Sequence, residues 1–219
     1  MRFSAAAERL SSLATFPGPL PEGPDALMPQ FTDGRLRPRL EPPASAREAA
    51  VLVLVFPGPD SEARLVLTER PSYDGFHSGE VSFPGGKAEP EDADADATAL
   101  REAAEEIGLD PVAAGVRIVG HLGTVWIPVS DFRITPVVAM AARRPALVPS
   151  PDEVARILEP PVAAFVGDAP IEIVERTIRD WPLRYGGYRI DDLHVWGATA
   201  RILGQLGAVL DGASVSGPP

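Results

Sequence analysis

A chain of 219 residues, 45% hydrophobic and 23% charged, has the size and composition of an ordinary soluble globular protein with one domain and extensions. Its net charge of −11 excludes a general binder of nucleic-acid backbones, which needs clustered Lys and Arg. It has no cysteine, so disulfides, thiolate chemistry and Cys-ligated zinc or iron–sulfur sites are excluded, and any metal must sit on oxygen or imidazole.

The first stretch, "MRFSAAAERLSSL", mixes polar and charged residues where a secretory signal would be continuously apolar. No apolar run approaches the roughly 20 residues of a membrane span. The expectation is a cytoplasmic protein with no membrane partner. Residues 3–14 have the spacing of a short amphipathic helix, but the prolines between Pro17 and Pro43 break regular structure. Residues 1–48 are therefore expected to be a proline-rich arm. The body, 49–210, begins with the strand-length apolar run "AAVLVLVF", Ala49 to Phe56, turned by "PGPDSE" into a second strand, Ala63 to Arg70. "EVSFPGG" predicts a strand ending in a Gly-Gly turn, and a helix follows. "GVRIVGHLGTVWI" and "FRITPVVAMAA" predict strands around a loop at Pro128 to Asp131. "SPDEVARIL" predicts a capped helical turn, and "HVWGATARILGQLGAVL" predicts a C-terminal helix. The tail, 211–219, is expected to be disordered. The order of elements predicts an α/β (α+β) fold, a mixed β-sheet sandwiched between helices.

The chemistry concentrates in "FPGGKAEPEDADADATALREAAEEIGL", Phe83 to Leu109. At about 3.6 residues per turn, Leu100, Ala103, Ala104 and Ile107 form one stripe, and Glu102, Glu105 and Glu106 gather on nearly the opposite face. Like charges at the i,i+4 spacing of Glu102 and Glu106 destabilise an isolated helix by roughly 0.2–0.5 kcal/mol. A solvated surface would tolerate this, and most acidic helix faces are solvated. The surroundings favour a cation instead. Mg²⁺ prefers carboxylate oxygens, the Gly-Gly segment brings bare backbone to the same place, and Lys87, the chain's only lysine, is beside it.

The pattern "GG … REAAEEIGL" resembles the Nudix box, whose second half is complete in Arg101, Glu102, Ala103, Glu105, Glu106, Gly108 and Leu109. The first half departs from it. Counting from Gly86, Asp92 stands where glutamate is expected, with one extra residue before Arg101. The same longer spacing is similar to the coenzyme A diphosphatase branch, as are Leu67, Thr68, Arg70, His77, Gly79, Val81, Phe83, Pro84, Gly85, Ala99 and Leu100. Pro71 and Gly75 differ from that branch, which usually has Ser or Ala and then a basic residue there.

The resemblance implies a Nudix fold and metal-dependent hydrolysis, with Mg²⁺ or Mn²⁺, of a small-molecule diphosphate such as coenzyme A. It further implies that Glu102, Glu105 and Glu106 hold the ions, with Glu102 also a candidate general base and a Gly85 or Gly86 carbonyl as a further ligand. Arg101 and Asp92 look like the family's structural ion pair. Glu153 is the candidate for a carboxylate from outside the box, although a helix N-terminus favours one for capping reasons too. Arg70, His77, Gly85 and Lys87 are the candidates for contacting substrate, and His77 serves equally well as a structural hydrogen-bonding residue. His121 and His194 flank apolar runs and read as packing residues. Trp126 to Asp131 and the "RYGGY" turn, Arg184 to Tyr188, are candidates for lining a pocket for a nucleobase or pantetheine chain. Family analogy also allows a homodimer. The competing class is a Nudix-fold module that senses a nucleotide without hydrolysing it, against which the intact Arg101, Glu102, Glu105 and Glu106 set argues.

Overall fold

The computed structural model describes residues 1–33, 41–71, 79–178 and 181–212. In chain order come α1 (Phe3–Leu10), β1 (Gln30–Phe31), β2 (Arg47–Pro57), β3 (Ala63–Leu65), β4 (Leu67–Glu69), β5 (Val81–Ser82), β6 (Gly85–Lys87) and α2 (Ala95–Ile107). They are followed by α3 (Pro111–Ala114), β7 (Val116–His121), β8 (Val125–Ile127), β9 (Phe132–Ala141), β10 (Arg156–Leu158), β11 (Glu172–Ile178), β12 (Trp181–Ile190), β13 (Leu193–Val195) and α4 (Gly197–Asp211). No helix among the described residues is long and apolar enough to cross a membrane.

The expected mixed sheet between helices is present. Its spine is the parallel pair β2 and β9, from Arg47 opposite Phe132 to Val55 opposite Met140. β3 and β6 join β2 antiparallel, and β7 and β8 join β9 antiparallel. Because successive strand residues face opposite sides, β2 feeds two cores. Leu52, Leu54 and Phe56 pack with Ala99, Ala103 and Ile107 of α2, whereas Val53 and Val55 pack with Leu203 and Leu206 of α4 and Leu10 of α1. Two smaller sheets run β10, β4, β5 and β1, β12, β11, with β13 pairing β12.

Several expected elements change character. The second strand divides, since β3 stays with β2 while β4 crosses to pair β5 and β10. Gly85 and Gly86 form no turn but lie in β6, opposite Val51 and Ala50. "SPDEVARIL" makes only a single turn, with the Val154 N–H donating to the Ser150 carbonyl at 2.8 Å. The Ala155 N–H then donates to the Glu69 carbonyl, drawing Arg156–Leu158 into the sheet instead of a helix. "RYGGY" likewise lies inside β12. A Cβ on Gly186 would come within 2.5 Å of the Ala26 carbonyl oxygen, so the glycine serves close packing rather than a turn.

Candidate active site

α2 is placed by its caps. The Asp94 carboxylate accepts from the Ala97 N–H at 2.9 Å, and Gly108 ends the helix in the left-handed region at φ 62°. The buried side differs from the expected stripe. Ala104 is exposed, while Glu106 is buried beside Ala103 and Ile107. The core-facing arc is therefore turned toward Glu106 by about 60°, at roughly 100° per residue. The cause is β6: the Gly85 N–H donates to a Glu106 carboxylate oxygen at 3.2 Å, giving the buried acid one polar partner. Gly85 itself reaches that position because it has no side chain. A Cβ there would lie 2.6 Å from Val51 Cα, on backbone with φ 155°.

Arg101 organises the loop before the helix. Its Nε and Nη2 donate to the two oxygens of Asp92 at 3.0 Å each, its Nη2 reaches the Lys87 carbonyl at 3.1 Å, and its Nη1 lies 3.0 Å from both Glu102 and Glu105. Asp92 also accepts from the Thr98 hydroxyl and the Glu89 N–H, each at 2.9 Å. These bonds, the Arg101 guanidinium foremost, hold the Asp92 carboxyl well below the usual aspartate range, and Asp92 in turn raises the Arg101 pKa. Asp92 thus orients the helix and its loop at the longer spacing.

Arg70, Gly85, Gly86, Lys87, Glu102 and Glu106 line a pocket of about 410 Å³ together with Asp152 and Glu153 from the turn before β10. The structure thereby brings Glu153, distant in sequence, to the helix glutamates. Burial raises the Glu102 pKa against the opposing pull of Arg101, with Glu105 and Glu153 adding to the rise. Burial pushes Glu106 up to about 7; the Gly85 N–H and Arg70 oppose the shift, and Glu102 and Glu153 add to it. Glu105 does not line the pocket, and its side chain is 56% exposed beside Arg101. His77 lies outside the described residues, as do Gly75 and residues 213–219 of the tail. His121 lies 2.7 Å from Asp96, outside the pocket, and His194 has both ring nitrogens buried without a hydrogen-bond partner.

Among the described residues no three carboxylates or imidazoles close into a ready-made metal cage. Glu102 is engaged by Arg101 and Glu106 by Gly85. The donor chemistry nevertheless fits a hard divalent ion. Oxygen ligands from Glu102, Glu106 and Glu153 share one pocket, and the neighbouring carboxylates raise the proton affinity of Glu102 and Glu106, which a cation would relieve.

A family model described as NUDIX domain matches residues 46–165. The chain is similar to Nudix hydrolase 22, chloroplastic, of Arabidopsis thaliana, 40% identical over 166 residues, covering 72% of this chain and 53% of that protein. It is also similar to NudL, an uncharacterized Nudix hydrolase of Pectobacterium atrosepticum, 37% identical over 175 residues, covering 78% of this chain and 87% of that one. The chain thus spans about half the length of the plant relative and most of the bacterial one. Among solved structures, a Nudix hydrolase from M. smegmatis, RenU, aligns with a TM-score of 0.45 at 22% identity, over 62% of this chain and 79% of that one. The domain match spans more than half the chain and contains Gly85, Gly86 and the Arg101–Glu106 helix, so the chain belongs to the Nudix family.

Proposed function

We propose that this protein is a Mg²⁺- or Mn²⁺-dependent diphosphatase that cleaves coenzyme A or acyl-coenzyme A to 3′,5′-ADP and (acyl-)4′-phosphopantetheine. The observation that carries the diphosphatase reading is the single pocket in which Glu102, Glu106 and Glu153 face the Gly85–Gly86 backbone, with Arg70 and Lys87 beside them. The coenzyme A assignment is supported by the longer Gly86-to-Arg101 spacing, across which Asp92 still makes a two-pronged bond to Arg101.

Glu102, Glu106 and Glu153, with a Gly86 or Gly85 carbonyl, would hold the metal, and Glu105 would act from the rim. When bound, the ion neutralises diphosphate oxygens and lowers the pKa of the attacking water. The protein's own groups do the rest. Arg70 and Lys87 offer cations to an anion that an acidic chain would otherwise repel. Glu102 is the candidate base for the water's proton. Arg101 orients Glu102 and Glu105 from its anchor on Asp92, so that the carboxylates are positioned before substrate arrives.

Purified protein incubated with coenzyme A and Mg²⁺ or Mn²⁺, with products identified by mass spectrometry, should yield 3′,5′-ADP and 4′-phosphopantetheine. Intact coenzyme A beside rapid cleavage of ADP-ribose, NADH or a nucleoside triphosphate would transfer the assignment to that substrate. Binding of Mg²⁺ without turnover of any diphosphate would replace it with a nucleotide sensor.

A further inference from the structure

A cavity of about 540 Å³ is separate from the carboxylate pocket and shares no lining residue with it. Its walls come from three places: Leu27 and Met28 of the N-terminal arm, Val125 and Trp126 of β8, and Arg201 and Gln205 of α4. Ten of its sixteen lining residues fall outside the matched family region, eight of them in the N-terminal arm and two in α4. Gln205 ties the walls together. Its side-chain oxygen accepts from the Gly123 N–H at 2.8 Å and its amide donates to the Pro21 carbonyl at 3.3 Å.

The sheet relates the two hollows. Ala49 of β2 pairs with Lys87 on one side and Ile134 on the other, and Ile134 pairs with Val125. Lys87 lines the carboxylate pocket and Val125 lines the cavity. Three strand spacings separate them, about 14 Å, which is within reach of an extended nucleoside diphosphate.

The chemistry of the cavity selects which end of such a molecule enters. The half-buried indole of Trp126 is fixed by its Nε1–H donating to Asp131 at 3.1 Å, and Leu27, Met28 and Pro128 add apolar wall. Arg133 lines the cavity too, but its guanidinium is already paired with Glu48. The exposed carboxylates of Glu22 and Glu41 line it against Arg133 and Arg201, so the cavity carries no excess of positive charge to draw a phosphate. A rigid aromatic face among apolar neighbours suits a flat, uncharged ring.

We infer that the cavity walled by the arm seats the adenine base of the substrate, stacked on Trp126, while the diphosphate lies against Glu102, Glu106 and Glu153. This rests on the diphosphatase reading, and adenine is common to coenzyme A, ADP-ribose and NADH. The test is calorimetric binding of AMP and of ribose 5-phosphate, neither of which is a diphosphate, to the full chain in Mg²⁺. AMP should bind roughly 5- to 150-fold more tightly, the range that stacking of one base supplies. Trp126→Ala should reduce that ratio to about one while Trp126→Phe keeps most of it, with the melting temperatures of both variants near the wild-type value. Equal binding of the two ligands by the wild type, or a full ratio in Trp126→Ala, overturns the inference even if diphosphates are cleaved. A ratio lost in Trp126→Ala but kept in Trp126→Phe, in a protein that cleaves no diphosphate, keeps the base site and discards the enzyme.

Discussion

Glu106 is a carboxylate placed where charge is least tolerated, with the residue only 8% exposed between Ala103 and Ile107. Its neighbours cut both ways: the Gly85 N–H and Arg70 favour the anion, while burial, Glu102 and Glu153 oppose it and prevail. In chelator the folded protein therefore binds this proton more tightly than the unfolded chain does. The resulting stabilisation is complete below the ordinary glutamate value of about 4.5 and is lost as pH rises through about 7. The swing is about 3 kcal/mol, at roughly 1.4 kcal/mol for each pH unit between those two values. Glu106→Gln should remove that swing, so that urea unfolding in EDTA gives nearly equal stabilities at pH 5 and pH 8 as far as this site is concerned. Turnover in Mg²⁺ should fall by orders of magnitude. A variant that keeps the wild-type pH dependence, or the wild-type rate, contradicts the placement of Glu106. The sequence shows three close glutamates but not which one is buried, because β6, which supplies Glu106 with its backbone partner, precedes the helix by a loop whose path no helical periodicity records.

At the level of elements, periodicity finds β2, β9, α2 and α4, and the apolar patterns of β2, β9 and α4 match their burial, whereas α2 is turned toward Glu106. It fails where long-range contact overrides local preference. Gly186 and Gly187 read as turn residues, yet both lie in β12, with Gly186 packed against Ala26 and Gly187 against Val195 and His194. Ser150 to Glu153 reads as a helix cap, but the bond from Ala155 to Glu69 exists only once β4 is in place. The two glycines of β6 are the case with functional weight, and they separate stability from chemistry. A Cβ on Gly85 would collide with the Val51 backbone, which cannot move away, so Gly85→Ala should cost about 1–3 kcal/mol or more. A Cβ on Gly86 would lie 2.5 Å from the Glu102 carboxylate, the far end of a flexible side chain. Gly86→Ala should thus keep wild-type stability to within about 1 kcal/mol and lose most of its turnover as Glu102 is pushed aside. Paired denaturant curves and kcat measurements check both halves; a Gly86→Ala enzyme with normal kcat would detach Glu102 from the reaction.

For the molecule as a whole, the boundary drawn by family resemblance and the boundary of the hydrophobic core do not coincide. The family match begins at residue 46, whereas Ala6, Leu10, Leu13 and Leu27 lie in one buried cluster with Val53 and Val55 of β2 and Leu203 and Leu206 of α4. Arg9 donates to the carbonyl of Leu210 near the end of α4, and Gly204 is a glycine because the Leu27 side chain occupies the space its Cβ would need. Prolines keep this segment from forming long helices or strands without keeping it from packing, since the single 3-10 turn Asp25–Leu27 still buries Leu27 in the core. If the arm were an independent appendage, trimming Leu27 would change nothing in the unfolding of the body. With Leu27 only 2% exposed, Leu27→Ala should instead lower the unfolding free energy by about 2–5 kcal/mol, and the loss should appear in one cooperative transition. Urea unfolding followed by far-UV circular dichroism and by tryptophan fluorescence should give coincident curves with an earlier midpoint. An unchanged midpoint would separate the arm from the core, and would also remove the wall on which the base cavity depends.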